Sequence, residues 1–246
     1  MKLVKREIPW TDPITHEPLI IDNALISSKS SSYSIIDGIP NFIENISDEI
    51  QKQVQESFGE KWTKTTFANN DSEFEKKLKP IYLEMMGLKE TDLDIFNNKT
   101  ILEVGIGSGS SSRLWCKQSK EFHGVDISKA VYAVSDNLKN FYQHSILSQA
   151  DINHLPYDDE SFDVIVSNGV FHHTPNTKES LKNSLKKLKI GGFCIFYIYK
   201  IKSPIREFSD DYIRSKISHL PYDEAYEKIK TLTNLLHTMS PLASAN

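Results

Sequence analysis

From Thr100 to Lys200 the chain alternates short apolar runs with segments of helical character, and this alternation restricts the fold more than any other feature of the sequence. The runs read ILEV, then SSSRLWCKQ; EFHGVDI, then SKAVYAVSDNLKN; SILSQA; FDVIVSN, then TKESLKNSLKKLK; and finally FCIFYIYK. A strand followed by a helix returns the chain parallel to itself, so the helices end up covering both faces of one sheet. The expectation is an α/β chain with a doubly wound, mostly parallel sheet. Ligands of such a sheet bind beyond the carboxyl ends of the strands, where strand order reverses. FCIFYIYK is the longest apolar run, and it falls far short of the roughly 20 residues that span a bilayer.

The flanks read differently. Residues 1–45 are short, β-like and turn-rich, with Asp22-Asn23 and Asp37-Gly38 as turns, and form a small β-hairpin leader. Residues 46–98 form a helical cap: Ile46, Ile50, Val54 and Phe58 recur as one helical face does, and Phe74, Leu78, Ile81, Tyr82 and Met85 mark a second helix stopped by Gly87. Both stripes read as core contacts. The core is expected at 99–200, and 201–246 reads as helices broken at Pro204, Pro221 and Pro241. A chain of 246 residues, 39% hydrophobic and 25% charged, buries one good core with room for a small appendage. The start, MKLVKREIPW, has no apolar stretch behind it, so the default location is cytoplasmic. The cysteines, Cys116 and Cys194, sit in apolar contexts and read as buried thiols.

The chemistry gathers at ILEVGIGSGSSSRLW. Gly105, Gly107 and Gly109 lie between a strand and a helix-like segment, the context that a nucleotide-binding loop needs. A dinucleotide fingerprint would want glycine at 110, where Ser110 stands, and no lysine follows the glycines as in a phosphate-cradling loop. Glu103 would repel a pyrophosphate and could hold a cation. Asp126 closes the next strand, in the place of an acid that accepts from ribose hydroxyls, and Asp151 follows the one after. Each of these acids taken alone could be a helix cap. Together they point at one crevice.

LEVGIGSG, GVDIS, DINHLPYDDESFDVIVSNGVFHHT and LKIGGFCIFYIYK, in this order and spacing, resemble class I S-adenosylmethionine-dependent methyltransferases, in the branch of the ubiquinone and menaquinone methyltransferases. The resemblance covers about residues 99–200 and implies a Rossmann-like fold, S-adenosyl-L-methionine as cofactor and a small-molecule methyl acceptor. It implies that Glu103, Gly105, Ile106, Gly107 and Gly109 lie by the methionine part. Asp126 would hold the ribose with Ile127 beside the adenine, Asp151 would accept the adenine amino group and Ile152 would cover the ring. Asn168 would hold the methionine ammonium through its carbonyl. His172 and His173 lie near the methyl group, where one could act as a base or simply pack the loop. No Asn-Pro-Pro-Tyr motif is found, which disfavours adenine methylation of DNA.

Two departures qualify the resemblance. The leader EPLIIDNALISSKSSSYSIIDGIPNF resembles the zinc-ribbon-like segment that precedes some bacterial methyltransferases, including certain rRNA guanine methyltransferases, but it carries no cysteines, so no metal is expected. The strand pair that normally ends the family's sheet has no counterpart after Lys200, which would leave an apolar edge to be covered by a partner chain or by the C-terminal helices, or would mark a truncated product with impaired activity; self-association is the expectation. Phe58 and Trp62 read equally as a lid and as core. Lys178, Lys182, Lys186 and Lys189 read as one solvated helix face, with RNA contact as the sharper alternative. A net charge of −4 and a pI near 6.1 oppose that alternative. Besides a methyltransferase for small molecules, the rivals are an RNA methyltransferase and a cofactor-binding or partner-binding module without turnover.

Overall fold

The computed structural model describes residues 7–22, 24–43, 49–64, 71–139, 145–200 and 203–243. Two compact units emerge, the first ending at Tyr199 and the second beginning at Lys200.

The first unit is built on a nine-stranded sheet in the order β1-β2-β3-β4-β7-β6-β5-β8-β9. Strands β1 (Ile20–Asp22), β2 (Leu25–Ser27), β3 (Ser32–Ile36) and β4 (Ile39–Asn41) pair antiparallel. Strands β5 (Thr100–Val104), β6 (Glu121–Asp126), β7 (Ser145–Gln149), β8 (Phe162–Asn168) and β9 (Leu188–Tyr197) pair parallel. The chain leaves β5 in one direction through β6 and β7, then crosses to the other side for β8 and β9. Strand order therefore reverses between β5 and β8, the place where such sheets bind ligands.

The leader is more than a hairpin appended to the core. Its last strand joins the parallel sheet beside β7, with Asn41 opposite Gln149, and the Phe42 amide donates to the Gln149 carbonyl at 2.8 Å. Trp10, Ile26, Tyr33 and Phe42 share a core cluster with Leu102, Val125 and Phe162. The opposite face buries Phe74, Leu83, Phe96, Trp115 and Leu138 against Ile101, Phe122 and Val164. Both faces of β5 and β6 are thus covered, which explains why these strands read as apolar runs instead of alternating.

The helices follow the periodicity with three corrections. Helix α1 (Glu49–Lys64) covers the first cap stripe, although Ile46 and the side chains of Ile50 and Val54 lie outside what is described. A turn α2 (Asp71–Glu73), a π-helical stretch (Phe74–Leu78) and α3 (Lys79–Met85) form the second, and the chain turns at Gly87 with φ +66°. Helices α4 (Ala130–Lys139) and α5 (Thr177–Lys186) flank the sheet, and α5 is capped by Asn176, whose side chain accepts from the Glu179 amide at 3.1 Å. SSSRLWCKQ, expected as a helix, forms two 3₁₀ turns instead, Ser111–Leu114 and Cys116–Gln118. Leu114, Trp115 and Cys116 are all buried, and three consecutive inward side chains do not suit a helix with one apolar stripe. Lys189 leaves the expected lysine face: it lies in β9, where it pairs with Asp163 at 2.9 Å.

Strand β9 is the last of the sheet; on it Ile190 is 89% exposed, while Phe196, 41% exposed, packs edge-on against Phe171. The second unit comprises α6 (Pro204–Ile217) and α7 (Tyr222–Ala243). Pro241, read as a helix breaker, falls inside the last turn of α7. Among the described residues no helix is long and apolar enough to cross a membrane.

Candidate functional site

The turn after β5 is a run of left-handed glycines: Gly105 has φ +74°, Gly107 +53° and Gly109 +72°. Each of these angles strains an L side chain, so glycine is needed for the path itself. The turn is stitched to β6, because the amides of Gly105 and Ile106 both donate to the Val125 carbonyl, at 2.7 and 3.0 Å. Asp126, at the end of β6, fixes the tip. Its Oδ2 accepts from the Gly107 amide at 2.8 Å, while Oδ1 accepts from the Ser128 amide at 2.8 Å and the Ser128 hydroxyl at 2.7 Å. Burial pushes the Asp126 pKa above the ordinary carboxylate value, with these hydrogen bonds opposing the shift.

A cavity of about 240 Å³ opens over this turn. Its floor is Val104, Gly105, Ile106 and Gly107 after β5, Asp126 and Ile127 after β6, Ala150 and Ile152 after β7, and Asn168, Gly169 and Val170 after β8. The opposite wall comes from the cap: Phe58, Lys61 and Trp62 on α1 and Tyr82 and Met85 on α3, joined by His173, Thr174 and Tyr199. Helix α1 is tied down where the Gln55 side-chain amide donates to the Ile127 carbonyl at 2.8 Å, and it passes Ser128 at Gly59. Trp62 lies against Gly107, where an added Cβ would come within 3.2 Å of the indole nitrogen. The Lys61 ammonium sits 4.4 Å from the Trp62 ring centroid and 5.5 Å from that of Phe58, and burial lowers its pKa.

The structure brings Gly105, Ile106, Gly107, Asp126, Ile127, Ile152, Asn168 and His173 together around this cavity. It sets four other expected residues apart. Glu103 is not in the wall. On β5 it shares a face with Ile101, so its carboxylate points under the 3₁₀ turns and accepts from the Ser111 hydroxyl at 3.2 Å and the Trp115 indole at 3.0 Å. At 1% exposure, burial lifts its pKa to about 7. Gly109 serves packing, since a Cβ there would fall 2.3 Å from Val134 on α4. Asp151, between the wall residues Ala150 and Ile152, turns its Oδ1 back to accept from the Asn153 amide at 2.8 Å.

His172 is the fourth. Its ring lies between His173 and Tyr199, with centroids 4.1 and 4.0 Å away, and its buried nitrogens have no hydrogen-bond partner among the described residues. Burial lowers its pKa, so it stays neutral near neutral pH. His173 faces the cavity and packs its ring 4.9 Å from Phe58.

Phe58 and Trp62, which the sequence left between lid and core, both line the cavity. Lys61, Tyr82, Met85, Val170 and Tyr199 were missed as site residues. Tyr82 and Met85 carried only the signal of a core stripe, and Tyr199 carried none. Both cysteines are unsuited to nucleophilic work, because burial raises the Cys116 thiol to about 12 and that of Cys194 to about 11.

Residues 102–196 match the family model of the methyltransferase domain. A ubiquinone biosynthesis O-methyltransferase of Coxiella burnetii (strain Dugway 5J108-111) is 32% identical over 123 residues, covering 49% of this chain and 53% of that protein. Phthiotriol/phenolphthiotriol dimycocerosates methyltransferase 1 of Mycobacterium ulcerans (strain Agy99) is 25% identical over 153 residues, covering 61% of this chain and 56% of that protein. The chain therefore spans about half the length of the curated relatives it matches. Among solved structures, the N-methyltransferase NodS from Bradyrhizobium japonicum WM9, in complex with S-adenosyl-L-homocysteine, aligns with a TM-score of 0.47 and 20% identity, covering 58% of this chain and 72% of that one.

Proposed function

We propose that this cavity binds S-adenosyl-L-methionine and that the chain transfers its methyl group to a small-molecule acceptor. The observation that carries the reading is the joining of the glycine turn to Asp126 at the strand-order switch, within the segment that matches the methyltransferase domain. The chemistry of the wall fits this cofactor. Asp126 Oδ2 accepts one hydrogen bond from the protein, which leaves capacity for a ribose hydroxyl. Ile127, Ala150 and Ile152 offer an apolar slot for a flat base. No lysine directly follows the glycines to greet a phosphate, and Arg113 lies over the Phe74 ring, 4.1 Å from its centroid, instead of lining the cavity. The relatives named above act on different molecules, so the acceptor here is left at the level of a small molecule.

When bound, the cofactor supplies a methyl group already activated by a positively charged sulfur. The chain's own part is then to align and to exclude water. Gly105 to Gly107 and Asn168 would hold the amino-acid part, and Asp126 the ribose. Phe58 and Trp62 close the cavity from the cap. An acceptor hydroxyl must lose its proton, and an imidazole nitrogen of His173 is the group in the wall suited to take it. Glu103 acts from behind the turn and His172 from behind His173, as supports.

Calorimetric titration with S-adenosylmethionine and S-adenosylhomocysteine tests the reading. Saturable binding by the wild type, weakened at least tenfold in Asp126→Ala, is expected. A folded wild-type sample that binds neither compound overturns it.

A further inference from the structure

The cavity wall is asymmetric in charge and in texture. Its sheet side is backbone, small aliphatics, neutral polar groups (Ser108, Ser110, Ser111, Asn168) and one carboxylate, whereas its cap side is largely aromatic and holds Lys61, the one lysine or arginine of the wall among the described residues. An aromatic wall without a cation would suit a cationic acceptor such as an amine, held against the π faces. Here the Lys61 ammonium already lies over the rings of Trp62 and Phe58. A second cation brought to those rings meets like charge at short range. The wall's carboxylate offers such a cation little, because Asp126 lies on the far side, where it holds Gly107 and Ser128 and keeps its remaining capacity for the ribose of the proposed cofactor.

We infer that the cap side selects an acidic acceptor: a flat apolar body packed among Phe58, Trp62, Tyr82 and Tyr199, carrying an anionic oxygen group that pairs with Lys61. The inference rests on the cofactor reading above. Lys61 is thereby a specificity-determining residue. A positively charged sulfur held in the same cavity acts in the same sense, attracting an anion and repelling an amine.

Three probes with one ring and different charge test this: benzoate, benzamide and benzylamine, titrated calorimetrically into the chain saturated with S-adenosylhomocysteine at fixed ionic strength. Benzoate is expected to bind at least tenfold more tightly than either of the others. Lys61→Met should abolish the preference, Lys61→Arg should retain it, and affinity for S-adenosylhomocysteine should change less than twofold in both. Equal or tighter binding of benzylamine or benzamide, or no benzoate binding at millimolar concentration, overturns the inference. So does a tenfold loss of S-adenosylhomocysteine affinity in Lys61→Met, which would assign the lysine to the cofactor's carboxylate. Failure of the cofactor reading is visible separately, in the first titration with S-adenosylhomocysteine alone, and the probes are then titrated into the unloaded chain with the same criteria.

Discussion

Replacing Glu103 by glutamine should make the protein more stable, and more so as pH rises. The carboxyl is 1% exposed, and its pKa is lifted from 4.5 to about 7, first by burial and further by the nearby charge of Asp126. Hydrogen bonds from the Trp115 indole and the Ser111 hydroxyl oppose the shift without cancelling it. A raised folded-state pKa means that the folded protein prefers the neutral acid. The stability from that preference is complete below the unfolded value of 4.5 and is lost as pH rises through about 7. The gap between 4.5 and about 7 corresponds to about 3 kcal/mol, all of it spent by pH 9. Glutamine keeps the shape and an oxygen for the Trp115 indole, but does not ionise. Urea unfolding of both proteins from pH 5 to 9 should show Glu103→Gln gaining about 3 kcal/mol relative to wild type across that range. A constant difference between the two at all pH values would refute the reasoning, because it would mean that the carboxyl ionises in the fold as easily as in the unfolded chain.

Gly105→Ala should cost about 3 kcal/mol in thermal or urea unfolding, since the new Cβ would fall 2.2 Å from Val170 Cγ2 at a φ of +74°. Gly87→Ala, at φ +66° with nothing within 4 Å, should cost only about 1 kcal/mol and so separates backbone strain from the clash. Acid should loosen the leader first. Burial tends to raise the pKa of Glu121, but hydrogen bonds from the His123 ring and the Glu7 and Ile8 amides hold it below the ordinary value. That stabilisation is present above the unfolded pKa of 4.5 and is lost as pH falls through the lower folded one, so a change in Trp10 fluorescence as pH falls below 4.5 should vanish in Glu121→Gln.

The parts of the site that could be read in advance are those set by neighbours in sequence. The glycine turn, Asp126 and Ile152 each lie at or just past the end of a strand, so their place at the carboxyl ends needs only the strand order of the doubly wound sheet. Glu103 shows the limit of that logic. Being one residue from the strand end says nothing about which face the side chain takes, and the alternation along β5 sends it to the Trp115 side. Lys61 and Tyr199 reach the cavity from elements far apart in sequence, and no local pattern marks them. The pairing of β4 with β7 is likewise non-local: Asn41 and Gln149 carry no signal for each other, so the leader read as a separate hairpin when in fact it extends the sheet.

The three glycines of the turn look alike in sequence and do three different things. Gly105 makes room for Val170 after β8, so it locks the two strands that flank the switch point; an added Cβ would have to move a neighbouring strand end. Gly109 makes room for Val134 and thereby seats α4 against the turn. Only Gly107 has its open side towards the cavity, under the Trp62 indole, and its amide is the one that Asp126 holds. Substitution at 105 or 109 should therefore be felt first in stability, while a side chain at 107 should displace Trp62 and be felt first in ligand affinity. Comparing Gly107→Ala with Gly109→Ala by melting and by S-adenosylhomocysteine titration decides it: a Gly107→Ala protein that loses stability as much as Gly109→Ala, with unchanged affinity, would mean that the turn is built for packing throughout.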